Sequence, residues 1–242
     1  MGRTGHITTY NVYLNHNLKK TIYHGSETYP LYIKVTYRRR SMFFKSYYFN
    51  LFLQERYGVP AIGKKPAAAK VSIDRIIETE LLLLAFVADR MGEDYTLEEF
   101  KREYDFFGMD LCSYFGEAFK LSLFLFFLQK EMSTLGYALA EIKKRHTLYD
   151  LLIDVKKAVT PELYKELENY TARHFFAGYI PLYAYMSQLT PNRYAFTVLD
   201  WEDRQLRDGF VRFVEQHYPD TEPARLVTLI DKQLAEVRES GK

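Results

Sequence analysis

Between residues 32 and 47 the chain gathers the side chains with the most pointed chemistry it has: Lys34, Thr36, Arg38, Arg39, Arg40 and Lys45, with Tyr32 and Tyr47 beside them. Ammonium and guanidinium groups at this density suit phosphate binding, lysine as a point charge and arginine as a two-pronged donor. Threonine and tyrosine hydroxyls add donors and acceptors for phosphates or base edges. This is recognition chemistry, with no bond made or broken. A solubilising sheet face would account for the lysines alone. Three consecutive arginines at a turn favour nucleic acid instead.

Catalytic and metal-binding patterns are missing from the sequence. There is no GxxxxGK[ST] phosphate loop, no GxGxxG and no GxSxG. The paired carboxylates Glu98 and Glu99 stand at a helix start, where acidic residues complement the dipole. His6, His16, His24, His146, His174 and His217 are scattered without metal-ligand spacing. The single Cys112 rules out an internal disulfide and a cysteine-built zinc site; in its apolar run it reads as a buried, inert thiol. The expectation is a protein that is not an enzyme and carries no cofactor and no metal.

The elements that must position the basic cluster follow from periodicity. Residues 7–14 alternate and are rich in β-formers. Asn15 to Ser26 reads as a loop, with Thr21-Ile22-Tyr23 as a possible strand extension. Leu31 to Arg38 is a second strand, with Leu31, Ile33, Val35 and Tyr37 on one face and Tyr32, Lys34, Thr36 and Arg38 on the other. Arg38 to Ser41 reads as a tight connection. A third strand is expected from Met42 to Leu51, with Phe44 and Tyr48 inward and Phe43, Lys45 and Tyr47 outward. The predicted unit is an antiparallel three-stranded meander with one apolar face and one basic, aromatic face.

Beyond it, 54–70 reads as a basic linker with Gly58, Pro60, Gly63 and Pro66. Ser72 then caps a helix to Met91, with Ile76, Ile77, Leu81, Leu84, Ala85 and Val87 as its apolar side and Gly92 as its stop. Thr96-Leu97-Glu98-Glu99 is a capping box for a helix to Phe106, ended by Gly108. From 110 onward the reading is all-helical: Asp110 to Met132, apolar nearly all round; Thr147 to Lys157; Thr160 to Phe176; Pro181 to Leu189; a brief extended segment at Arg193 to Val198; a helix capped around Asp200 and running to His217; and a last one from Pro223. The expected fold class is α+β, a small N-terminal three-stranded antiparallel sheet with helix followed by an all-α domain. The expected organisation is a β-unit at 1–53, a linker at 54–70, associated helices at 71–109 and an acidic all-α domain at 110–242.

Charge divides in the same place. The first 70 residues hold 12 Lys and Arg against Glu27 and Glu55, about +10, while the remainder holds 21 basic and 29 acidic groups, about −8. Such asymmetry points to a polyanion-binding module joined to something else. Aromatic residues reach 17%, with 21 Tyr and 18 Phe, a composition suited to interfaces. Met1 to Ile7 lacks the apolar run of a secretory leader, and Leu121 to Leu128 is too short to span a bilayer, so a soluble cytoplasmic protein without a membrane partner is expected.

The run Tyr29-Pro-Leu-Tyr-Ile-Lys-Val-Thr-Tyr-Arg-Arg-Arg-Ser-Met-Phe-Phe-Lys-Ser resembles the arm-type DNA-binding domain of tyrosine recombinases, the integrases of mobile elements. The resemblance covers about residues 7–107, continuing through Ile76 to Val87 and Thr96 to Lys101. It implies a three-stranded sheet packed on a helix and entering the DNA major groove, with Lys34, Thr36, Arg38, Arg39, Arg40 and Lys45 at the contact. Two departures stand out: Arg39-Arg40 replaces the family's turn glycine, and the catalytic His-x-x-Arg is absent. The combined expectation is a non-enzymatic double-stranded-DNA-binding protein of a mobile element or phage-related system, with residues 110–242 for partner binding or self-association. The alternative is an assembly subunit whose basic aromatic sheet docks an acidic protein surface.

Overall fold

The computed structural model describes residues 7–54, 71–141, 148–173, 178–189 and 195–240. These fall into two compact units that divide between Met109 and Asp110. The fold class is α+β, an N-terminal three-stranded antiparallel sheet followed by a helical region.

The first unit is built on β1 (Thr9–Leu14), β4 (Leu31–Tyr37) and β5 (Arg40–Lys45), in the order β1-β4-β5. Between β1 and β4 lies a small hairpin, β2 (Thr21–Tyr23) with β3 (Ser26–Thr28), turned at His24-Gly25. The strand expected as an extension at Thr21-Ile22-Tyr23 is β2 of this hairpin, and its partner β3 begins at Ser26, within the expected loop. β4 alternates as its sequence dictates: Leu31, Ile33, Val35 and Tyr37 are buried. Val12 and Phe44 flank Ile33 on the same face, so one continuous apolar layer forms. That layer packs on α2 (Ile73–Met91) and α3 (Leu97–Gly108), β1 against the former and β4 against the latter.

The third strand is shorter than expected. It stops at Lys45, and Ser46 caps a short helix, α1 (Tyr47–Phe52), by accepting the Phe49 N–H at 3.0 Å. Residues 46–52 are aromatic and would suit a strand. Burying Tyr48, Phe49, Leu51 and Phe52 together needs helical spacing, and packing wins over propensity. Tyr48 is inward as expected, from a helix.

α2 begins at the Ser72 cap and ends at Gly92, as read. Its buried side is Ile76, Glu80, Leu83, Leu84 and Val87, which corrects the assignment of Leu81 and Ala85; both are exposed. The stripe is rotated because a carboxylate, Glu80, sits in it. α3 opens with the capping box, Thr96 and Glu99 exchanging hydrogen bonds with each other's backbone N–H. That bond holds the exposed Glu99 carboxyl below its ordinary range. α3 closes on Gly108, where an added Cβ would stand 2.9 Å from a Leu83 methyl. Most of the expected 54–70 linker, residues 55–70, lies outside the described residues.

The second unit is helical: α4 (Leu111–Gln129), α5 (Ser133–Glu141), α6 (Leu148–Ala158), α7 (Pro161–Arg173), α8 (Tyr179–Leu189), α9 (Val198–Glu202), α10 (Arg204–His217) and α11 (Pro223–Ser240). α4 is central, packing on α5, α7 and α8. It is long and apolar enough to cross a bilayer by length and composition, and half of it is buried inside this fold, as in a core helix. Asp110 caps it, taking the Ser113 N–H on one oxygen at 2.9 Å and the Phe196 N–H on the other at 3.0 Å. One carboxylate thus joins the start of α4 to the strand-like bridge at Thr197.

Four boundaries are corrected here. α4 ends at Gln129, and α5 follows where no separate helix was read. α8 starts at Tyr179, two residues before Pro181. Val198 opens α9 instead of closing an extended segment. Thr197 caps α9 with Asp200 in a capping box, and Asp203 caps α10. The expected boundaries at Phe176 and Arg193 lie outside the described residues. Trp201 is buried and donates from Nε1 to Asp231 at 2.8 Å, and Arg207 grips the other Asp231 oxygen. Gly209 is required by space, since a Cβ there would meet the Tyr185 hydroxyl at 2.3 Å.

Candidate nucleic-acid interface

The face of the sheet opposite the apolar layer is set by the register. A two-residue turn, Arg38-Arg39, pairs Tyr37 with Arg40. Thr36 therefore faces Ser41, Lys34 faces Phe43 and Tyr32 faces Lys45. The β1 register adds Thr9 beside Thr36, Asn11 beside Lys34 and Tyr13 beside Tyr32. Three cross-strand rows result: Thr9-Thr36-Ser41, Asn11-Lys34-Phe43 and Tyr13-Tyr32-Lys45. None of these residues is acidic.

Within this face the Lys34 ammonium lies 5.6 Å from the centre of the Phe43 ring, and Phe43 is 57% exposed. The Thr36 and Ser41 hydroxyls are hydrogen-bonded at 2.8 Å. Lys45 is exposed at the opposite end of β5 from the turn. Hydroxyls at one end, an amide and a cation-ring pair in the middle, and a cation with two tyrosines at the other end give a polar, positive surface with aromatic edges.

Of the residues expected from the sequence, Tyr32, Lys34, Thr36 and Lys45 share this face. Arg38 and Arg39 form its end. Both hold left-handed backbone, φ 48° and 65°, the geometry of the two-residue turns that match strand twist. Arg38 is tied to the α2–α3 loop: it pairs with Asp94 at 2.8 Å, donates to the Glu93 carbonyl at 3.3 Å and lies over the Tyr37 ring. Arg39 is exposed. Arg40, opposite Tyr37, has the parity of the inner face; it lines a cavity of about 420 Å³ with Tyr37, Arg38, Tyr95, Thr96, Leu97 and Glu98. Tyr47 does not lie on the sheet at all. It is the first residue of α1, and its N–H donates to the Tyr104 hydroxyl at 2.9 Å.

No protein-family model, curated protein or solved structure matches this chain.

Thr9, Asn11, Tyr13, Ser41 and Phe43 belong to the face and were not among the expected contact residues. Ser41 and Phe43 were accessible to counting, because a two-residue turn fixes the parity of everything behind it. The β1 residues were not, since the β2–β3 hairpin interposes a connection of unpredictable register.

A buried node behind the sheet holds it in place. Glu80 is fully buried, accepting the Ser46 hydroxyl and the Tyr48 N–H (3.1 Å) on one oxygen and the Tyr104 hydroxyl (2.7 Å) on the other. Burial pushes the Glu80 carboxyl above its ordinary range, against the pull of these hydrogen bonds, and pushes the Tyr104 phenol well up. The node ties the end of β5 to α2 and α3. Among the described residues no group of three or more His, Cys, Asp and Glu is arranged to hold a metal ion. His16 rests on Tyr29 and His24 on Tyr23.

Proposed function

We propose that this chain is a non-enzymatic DNA-binding protein of the kind found in mobile elements, whose outer sheet face enters the major groove of duplex DNA and whose helical unit binds a partner or a second copy. The observation that carries the reading is the acid-free face with Lys34 and Lys45 on adjacent strands, the Phe43 and Tyr32 rings beside them and the Thr36 and Ser41 hydroxyls in the next row. A β-ribbon fits the major groove, its cations on phosphates and its alternate polar side chains on base edges. The resemblance of residues 7–107 to integrase arm domains supports the same placement. One observation favours the assembly reading: Phe43 offers apolar surface that DNA would use only against a thymine methyl or sugar, whereas a protein surface would bury it whole.

The test is fluorescence anisotropy of a labelled duplex against the full chain over a salt series, with single-stranded DNA as control. Tight duplex binding that weakens with salt at about −0.9 log unit per phosphate contact is expected. No binding at low salt overturns the reading in favour of a protein partner.

The turn offers a separate check. A side chain in left-handed backbone is strained, and glycine is the residue the geometry favours at Arg39. Arg39→Gly is expected to raise the urea midpoint, a gain of up to about 1 kcal/mol. The same variant should lower the salt slope of duplex binding by about one contact. A stabilised variant with an unchanged slope would remove Arg39 from the interface.

A further inference from the structure

We propose that Asn11 is the base-reading residue of the outer sheet face, and that the duplex it recognises presents an adenine to β1. This rests on the DNA reading above and adds to it which side chain carries sequence preference, and for which base.

The face is lopsided in charge. Lys34 and Lys45 belong to β4 and β5, and Arg39 to the turn that joins them. Lys34 leans further that way, with its ammonium towards the Phe43 ring of β5. The outward residues of β1, Thr9, Asn11 and Tyr13, are uncharged. Cations on the β4–β5 side settle on one phosphate backbone, which leaves the neutral edge strand β1 for the base edges. The dimensions allow both at once: β1 and β5 are two strand spacings apart, about 10 Å, within a major groove about 12 Å wide.

Among the β1 groups the amide is the one that discriminates. A hydroxyl donates to or accepts from any base. A primary amide holds a donor and an acceptor side by side, matching adenine, whose N7 accepts and whose N6 amino group donates. The Asn11 side chain is exposed and, among the described residues, takes part in no hydrogen bond. The Thr36 and Ser41 hydroxyls of the next row are already bonded to each other. Asparagine is also a poor strand residue, yet Asn11 stands in mid-strand, paired with Lys34. Threonine or valine would serve the sheet better there. A residue that breaks a local preference with no gain in packing or hydrogen bonding marks a functional position.

The test is fluorescence anisotropy of the full chain with three short duplexes at one low salt concentration. The first is built only of A·T pairs, the second is the same duplex with every adenine replaced by 7-deazaadenine, and the third is built only of G·C pairs. An all-A·T duplex offers adenine in every register, so the natural site need not be known. The 7-deaza base keeps the pairing and the thymine methyls and removes only the N7 acceptor. Wild type is expected to bind the A·T duplex at least about fivefold more tightly than either of the others, the lower end for one base contact. Asn11→Thr should bind the A·T duplex and its 7-deaza form equally and keep the wild-type salt slope, since the phosphate contacts are untouched. Its urea midpoint should not fall, because threonine suits a strand. Equal wild-type affinity for the A·T duplex and its 7-deaza form overturns the proposal and leaves the DNA reading standing. So does a 7-deaza penalty that survives in Asn11→Thr, or tighter binding to the G·C duplex. No binding to any of the three overturns the DNA reading, and this inference with it.

Discussion

Lys34→Glu with Lys45→Glu is expected to abolish duplex binding and leave the fold unchanged. The two ammonium groups project from the same face of adjacent strands, Lys34 opposite Phe43 and Lys45 opposite Tyr32. No carboxylate shares that face, so reversal breaks no ion pair there; it exchanges one diagonal like-charge pair for another and gives up only the contact of Lys34 with the exposed Phe43 ring. The expected cost to stability is that of ordinary surface changes, within about 0.5 kcal/mol. The cost to binding is larger. Each charge-assisted contact to a phosphate is worth about 1.5–3 kcal/mol, so losing two lowers affinity by roughly a hundredfold or more before repulsion is counted. The slope of log affinity against log salt should flatten by about two contacts. The matched control is Lys156→Glu with Lys157→Glu at the end of α6, in the other unit, which should change neither quantity. Equal affinity and slope in wild type and the sheet variant would take the DNA site off this face.

The second large effect is expected at Glu80. Glu80→Leu leaves the Ser46 hydroxyl, the Tyr48 N–H and the Tyr104 hydroxyl facing an apolar side chain. Stranding these buried donors costs about 1–3 kcal/mol for each one left unsatisfied, together a large part of the stability of a small domain. Glu80→Gln keeps the size and an acceptor and should cost less. The two differ in what they do to pH dependence. Because burial raises the folded-state pKa of Glu80, the folded chain binds more protons than the unfolded chain just above the ordinary carboxylate range. The contribution is fully present below the unfolded pKa and is lost as pH rises through the folded one. Urea midpoints of wild type should therefore fall with pH from mildly acidic towards neutral, and those of Glu80→Gln should fall less. The single tryptophan, Trp201, lies in the helical unit, so its fluorescence is an internal reference that the Glu80 variants should leave in place. Parallel pH profiles for wild type and Glu80→Gln would refute the raised carboxyl.

How far the sequence could be read depended on whether a signal was local. β4 was legible because its alternation is undisturbed from Leu31 to Tyr37, and the caps at Ser72 and Thr96 because their residues lie within one turn of what they cap. The end of β5 was misread because Tyr47, Tyr48 and Phe49 are strand formers by preference and helical only by virtue of what buries them. Glu80 was invisible: a carboxylate within an apolar helix reads as a solvent-facing position until Ser46 and Tyr104, far off in sequence, are brought to it. α5 was hidden by Ser133, Thr134 and Gly136, weak helix formers that α4 nonetheless packs against. On the outer sheet face, Lys34, Lys45 and Phe43 were placed from type and alternation, Ser41 needed the register, and Tyr47 was lost with the strand that was to carry it.

The position of Glu80 also decides where the chain can be cut. The three strands end at Lys45, which invites a fragment stopping near residue 54. Such a fragment would keep Ser46 and Tyr48 and discard the carboxylate that receives both, along with the α2 and α3 surfaces under β1 and β4. The smallest piece that carries its own acceptors and its own floor extends through α3 to Met109. The shorter peptide holds every cation of the sheet face, and lacks what keeps them on one side.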